Sequence, residues 1–204
     1  MQTQVKPIQK SRTSMIAFCG ILAGISAVLM MVLEFPIPFM PPFLKFDFSN
    51  IPVIIGSLLY GPLAGVGIAF VKSVLHLFKS TTGGVGEIAD FIVCISLCLP
   101  ITFLYRKSSK GGIKILVFGA VLSCLAAGIV GMIANKFLLI PFFSKLMPLE
   151  TILETCGKIN PLIGSVNTYL LFGALPFNFI KGAMLFVLSL LFFKRLEPHL
   201  KRVM

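Results

Sequence analysis

Asn178 and Lys181, in the stretch Pro176-Phe-Asn-Phe-Ile-Lys181, are polar residues three positions apart inside an apolar run covering about 167–193. On a helix that spacing places both on one face. A lysine there needs a carboxylate, carbonyls or a polar ligand nearby. Each polar residue in such a run is costly and reads first as part of a functional site, with snorkelling of the lysine to an interface as the plainer reading. Other apolar runs carry polar residues at a similar level: Asn135 and Lys136, Glu87 and Asp90, and Lys72 and His76, four apart on one face. Together they predict a pocket assembled from several helices and opening to one side. An ion pair of Asp90 with Lys72 or Lys181 is the structural alternative for that acid.

No catalytic residue is assigned. The chain shows no Ser-His-Asp set, no HExxH and no paired catalytic carboxylates. Gly67-Ile-Ala-Phe-Val-Lys72-Ser73 has the end of a phosphate-binding loop, but Val71 stands where a glycine must precede the lysine. Gly84-Val-Gly86-Glu-Ile-Ala89 is a relaxed dinucleotide fingerprint without the strand it needs. No metal site is assigned either. Cys19, Cys94, Cys98 and Cys124 lie in apolar runs, where the thiol acts as a small hydrophobe, and Cys156 has no second loop cysteine to pair with. A ligand pocket without catalytic groups or a nucleotide motif of its own suggests a binding subunit with separate partners.

The elements that position these residues follow from composition. The 204 residues are 57% hydrophobic and 12% charged, with 20 Phe and a mean hydropathy of +1.00. A soluble domain carries about 25% charged residues to hold its water shell. Here lipid is the expected solvent, and the net charge of +11 reads as topology signals between apolar runs rather than as nucleic-acid binding. A crossing needs about 20 apolar residues. The predicted fold is all-α, a single integral membrane domain over 1–204, with helices at about 14–33, 49–59, 63–78, 86–105, 113–140 and 167–193. Tails at 1–13 and 194–204 flank them. The first run imitates a signal peptide but is long for one, and no small-x-small cleavage site follows.

With six crossings and the N-terminus inside, the inner segments hold Lys6, Lys10, Arg12, Arg106, Lys107, Lys110, Lys114, Lys194, Arg195, Lys201 and Arg202. The outer loops hold Lys45, Lys79, Lys136, Lys145 and Lys158, mixed with acids. That asymmetry places both termini in the cytoplasm. The first outer loop, Glu34-Phe-Pro-Ile-Pro-Phe-Met-Pro-Pro-Phe-Leu-Lys-Phe-Asp-Phe-Ser49, is too rich in proline for a helix and too apolar for a solvated linker. It reads equally as an interfacial aromatic belt and as a cap folded back over a cavity. The turn Lys79-Ser-Thr-Thr-Gly-Gly-Val-Gly-Glu87 is a plain loop or a close approach to a ligand. In the first run, Gly20, Ala23, Gly24 and Ala27 form a small-residue face for helix packing, internal or with a separate membrane protein.

The run Phe-Pro-Ile-Pro-Phe-Met-Pro-Pro-Phe-Leu-Lys-Phe-Asp-Phe-Ser-Asn-Ile-Pro followed by Tyr-Gly-Pro-Leu-Ala-Gly resembles the riboflavin-specific substrate-binding component of energy-coupling factor (ECF) transporters. So do Val-Lys-Ser-Val-Leu-His, Thr-Gly-Gly-Val-Gly-Glu-Ile-Ala-Asp-Phe and Pro-Phe-Asn-Phe-Ile-Lys, in the same order along nearly the whole chain. The segment 144–166 is a long polar insertion. The resemblance implies a six-helix bundle with an outward-facing pocket that binds riboflavin under the first loop. It further implies that Asn135, Asn178 and Lys181 hold the ring system and that Phe46 and Asp47 belong to the capping loop; with Asp90 from the fourth run, these six are the expected substrate-binding residues. No cofactor is expected, riboflavin being the cargo. The implied partners are a membrane-embedded coupling protein, docking on the small-residue face of the first helix, and two cytoplasmic ATPases. The implied location is the cell membrane, as a multi-pass protein. A scaffold relative taking another vitamin, a proton-coupled carrier using Asp90 and His76, and a membrane enzyme are the competing readings.

Overall fold

Apolar runs form long helices because hydrocarbon leaves backbone amides no other partner. A computed structural model describes residues 12–37, 44–108 and 112–203. The helices are α1 (Arg12–Val32), α2 (Asn50–Tyr60), α3 (Pro62–His76), α4 (Val85–Lys107) and α5 (Ile113–Ala134), then the short α6 (Ile140–Phe143), α7 (Leu149–Ile159), α8 (Val166–Tyr169) and α9 (Leu175–Val203). Two π-helical turns, Asn135–Leu139 and Leu170–Ala174, join α5 to α6 and α8 to α9. Between α1 and α2, β1 (Phe35–Pro36) pairs antiparallel with β2 (Lys45–Phe46). Prolines 38, 41 and 42 of the expected cap, and Lys6, Lys10 and Lys110 of the inner clusters, lie outside the described residues.

Among the described residues, five helical stretches are long and apolar enough to cross a membrane: Arg12–Val32, Pro62–Lys79, Val85–Lys107, Ile113–Phe143 and Val166–Phe193. The sixth apolar helix, α2, has only 11 residues. Every residue from Asn50 to Leu58 is buried. It sits in the middle of the bundle, against Ala23 of α1, Ile68 of α3, Leu97 and Ile101 of α4 and Leu185 of α9. Outward, Ile21 and Val28 on α1, Phe118 and Leu125 on α5 and Val187 and Leu191 on α9 are exposed. A soluble monomer rarely shows so continuous an apolar surface, and lipid explains it.

Glycine sets the α2–α3 reversal. Gly61 has φ 107 and ψ 176, a conformation essentially confined to glycine, and Pro62 starts α3 with its φ already helical. A Cβ at Gly61 would meet the Arg106 guanidinium of α4 at 2.9 Å. Pro100 interrupts α4, and the neighbouring amide of Ile101 donates to Ser123 Oγ of α5 at 3.1 Å. A hydroxyl from the next helix is how a proline inside a membrane helix is tolerated.

Small residues four apart on α5 (Gly119, Ser123, Ala127, Gly131) make one buried seam. At one end a Cβ on Gly119 would lie 3.0 Å from Ile101 Cα of α4. At the other, a Cβ on Gly131 would lie 2.4 Å from Asn178 Cγ of α9. The seam therefore sets how close α9 comes to α5.

Three elements differ from the sequence expectation. The fifth run continues through its π turn to Phe143, past 140, and α9 continues to Val203, past 193. The insertion 144–166 contains the amphipathic helix α7, whose Ile152 and Cys156 pack with Ile163, Tyr169 and Leu44. Burial pushes the Cys156 thiol up to about 11.

Candidate functional site

A cavity of about 420 Å³ lies where α1, α3 and α5 end and α4 and α9 begin. That size falls within the roughly 300–1,000 Å³ of small-molecule sites. Apolar side chains such as Met30, Val93, Leu139, Phe143 and Phe177 make much of its wall, and its polar groups fall into three sets.

The first set is carried by α9 and the end of α5. Asn178 donates from Nδ2 to Ala174 O at 2.8 Å, and Asn135 donates from Nδ2 to Gly131 O at 2.8 Å. Tyr169, buried, donates its hydroxyl to Asn135 Oδ1 at 2.6 Å. Asn135 begins one π turn, and the other, Leu170–Ala174, immediately precedes α9. Such turns displace the helical hydrogen-bond ladder by one residue and recur at functional sites. Here they fix the side on which Asn135 and the start of α9 emerge.

The second set is a ring of alternating charges. Lys181 Nζ donates to Asp47 Oδ2 at 2.7 Å and lies 3.9 Å from Asp90 Oδ1. Lys72, 0% exposed, donates to Asp90 Oδ2 at 2.6 Å, Asn50 Oδ1 at 2.6 Å and Ser49 Oγ at 3.0 Å. Asp47 Oδ1 accepts from Ser49 N at 2.8 Å and from the Ser49 hydroxyl. Two lysines and two carboxylates thus join α3, α4, α9 and the entry to α2. Burial by itself would raise the Asp47 carboxyl, but the Lys181 and Lys72 charges outweigh it and hold it well below the usual carboxylate range.

The third set surrounds the α3–α4 turn. His76 Nδ1 lies 2.9 Å from Glu87 Oε1. Glu87 Oε2 accepts from Ser80 Oγ at 2.9 Å and Thr82 Oγ1 at 3.2 Å. Glu34 and Lys45, paired at 2.9 Å, stand at the cavity beside the first loop.

Of the residues singled out from the sequence, Asn178, Lys181, Asn135, Asp47 and Asp90 line this one cavity. Phe46 does not. It is 1% exposed and packs against Phe35 and Phe48 at ring separations of 5.7 and 5.2 Å, behind the loop. Lys136 is exposed, with its ammonium 5.6 Å from the Phe137 ring. The small residues of α1 divide. Ala23 and Ala27 are buried in the bundle, while Gly20 and Gly24 have nothing within 4 Å of an added Cβ. At about 100° per residue the four cover an arc wide enough for one edge to face in and the other out.

Sequence reasoning missed Tyr169, Asn50 and Ser49. Tyr169 looks like one more aromatic in an apolar run, and Ser49-Asn50 looks like an ordinary helix start. It also missed α7, although Leu149, Ile152, Leu153, Cys156 and Ile159 show a helical apolar stripe.

The family model described as ECF transporter, substrate-specific component, matches residues 14–193. The chain is 32% identical over 184 residues to the riboflavin transporter RibU of Staphylococcus aureus (strain TCH60), covering 90% of each chain. It is 35% identical over 188 residues to the riboflavin transporter FmnP of Bacillus subtilis (strain 168), covering 90% of this chain and 92% of that one. A solved structure of the S component of a bacterial ECF transporter superposes with a TM-score of 0.74 at 29% identity, covering 94% of this chain and 99% of that one.

Proposed function

The chain belongs to the family of ECF transporter substrate-specific components, and from that premise we propose that it captures riboflavin from outside the cell, with ATP hydrolysed by separate subunits. The observation that carries the ligand is the joint placement of Asn135, Asn178 and Lys181 on one largely apolar cavity. A flavin ring is flat and apolar, with a polar pyrimidine edge carrying both donors and acceptors. Carboxamides complement that edge in both directions, Lys181 adds a donor, and side chains such as Phe177 and Leu139 cover the faces.

In this reading α2, with the loop that leads into it, is the sixth crossing, and both termini are cytoplasmic. The basic residues Arg106, Lys107 and Lys114 at the end of the bundle away from the cavity support that orientation. The first loop caps the pocket. Its described flanks already contribute Glu34, Leu44, Lys45 and Asp47 to the wall. Gly20 and Gly24 form the outer edge of α1 on which a membrane-embedded coupling protein docks, bringing two cytoplasmic ATPases. The setting is the cell membrane.

Purification in detergent tests the ligand. The protein should bind added riboflavin with quenching of its fluorescence, and Asn178→Ala and Lys181→Ala should weaken binding while the protein remains folded. A well-folded protein that ignores riboflavin refutes the reading.

A further inference from the structure

Tyr169, 1% exposed, is the bulkiest of the fully buried side chains among the described residues, and its hydroxyl is more than packing requires. A phenylalanine would fill the same space, and a buried hydroxyl is costly unless it is bonded. The local sequence fixes where the ring goes. Ser165 N donates to Thr168 Oγ1 at 2.8 Å and Thr168 N to Ser165 Oγ at 3.3 Å, a reciprocal cap that locks the turn leading into Tyr169. Gly173, in the following π turn, leaves the ring room: an added Cβ would lie 3.0 Å from Tyr169 Cδ2. Ile152 and Cys156 of α7, with Ile163, pack in the same apolar cluster.

Tyr169 lies behind the cavity wall, on which Asn135 stands. The Tyr169 hydroxyl donates to Asn135 Oδ1 at 2.6 Å, and Asn135 Nδ2 donates to Gly131 O at 2.8 Å. Tethered at both its oxygen and its nitrogen, the carboxamide cannot turn about its terminal bond, yet it keeps one N–H and one lone pair to offer. We propose that Tyr169 is a positioning residue for this site: from behind the wall, its hydroxyl sets the orientation in which Asn135 meets a flavin ring. The inference rests on the riboflavin reading. It also gives the 144–166 insertion a part in binding. By burying Tyr169, α7 shelters the bond, and a hydrogen bond is stronger where water is excluded.

Fluorescence titration of riboflavin into the detergent-purified full-length chain tests this with a double-mutant cycle. Tyr169→Phe keeps the ring and removes the bond, so affinity should fall by about three- to tenfold. In an Asn135→Ala background the same change should cost nothing, because no carboxamide is left to aim, whereas in Asn178→Ala it should cost its full amount. Gly173→Ala, which pushes the ring from its seat, should reproduce the loss with the hydroxyl still present. Infrared difference spectra at saturating riboflavin add a readout that looser packing does not move: the carbonyl bands of the bound flavin should shift in Tyr169→Phe. Wild-type affinity in Tyr169→Phe would overturn the proposal, as would unshifted bands. So would an equal loss with and without Asn135, the result of a bond that serves stability alone. Failure of wild type to bind riboflavin is a different result: it refutes the riboflavin reading, and this inference with it.

Discussion

Lys181 of α9 and Asp47 of the first loop stand 134 positions apart in the chain and meet at 2.7 Å, both buried. One ammonium therefore belongs at once to the wall proposed to hold the ligand ring and to the segment proposed to cover it. Asp90 and Lys72 complete the ring of charges, so neither end is free to move alone.

Removing one member leaves an uncompensated buried charge, at a cost of about 3–5 kcal/mol. Asp47→Asn should then weaken riboflavin binding by about ten- to a hundredfold, chiefly through faster release, because the loop loses its ionic tie. Stopped-flow displacement of bound flavin checks this. An unchanged off-rate would mean that the pair does not restrain the loop.

The pH response of that pair has a definite sign. Its Asp47 carboxyl lies below the unfolded value of about 4 because the two lysines outweigh the effect of burial. The contribution is therefore complete above about pH 4 and is lost only as the pH falls through the lower folded value. Riboflavin affinity should have no Asp47-dependent step between about pH 8 and pH 5. A decline in that interval that vanishes in Asp47→Asn would contradict the assignment.

Gly131→Ala tests the α5 seam. The new methyl group would sit 2.4 Å from Asn178 Cγ, so the carboxamide must shift. Overpacking of this kind costs about 1–3 kcal/mol, and here it falls on a proposed ligand contact. Riboflavin affinity should drop by at least about tenfold with the bundle still assembled, measured by titration beside a thermal-melting assay. Gly20→Ala, in open space, is the matched control and should leave both readings unchanged.

The outer edge of α1 is tested by Gly24→Leu. Because nothing lies within 4 Å of that position, riboflavin binding by the isolated chain should persist. Co-purification with the coupling protein and its ATPases should fail, since close helix approach needs small residues. Normal assembly would place the docking surface elsewhere.

The sequence made the spans and the polar positions legible, because a charge inside an apolar run is expensive wherever it falls. Asn178, Lys181, Asn135 and Asp90 were legible for that reason and all line the cavity, as does Asp47, which only the family resemblance had pointed to. Both partners weighed for Asp90 are present, Lys72 at 2.6 Å and Lys181 at 3.9 Å. Face assignment along a single helix was less informative. Lys72 and His76 share a face, yet Lys72 ties α3 to α2 and α4, whereas His76 turns to Glu87. Periodicity also gave no sign of the π turns, whose five residues each leave the helical run unbroken. Phe46, assigned to the first loop by the resemblance, lies buried on that loop and off the cavity wall.

The brevity of α2 bears on how far a captured molecule has already travelled. Eleven residues rise about 16 Å, roughly half of the 30 Å hydrocarbon thickness. The other half of that column is occupied by loop and cavity in place of helix. On the proposed function, a vitamin seated there lies well below the headgroups before any nucleotide is hydrolysed. Between that cavity and the far end of the bundle stands α2 itself, which ends where Gly61 and Arg106 lie against each other.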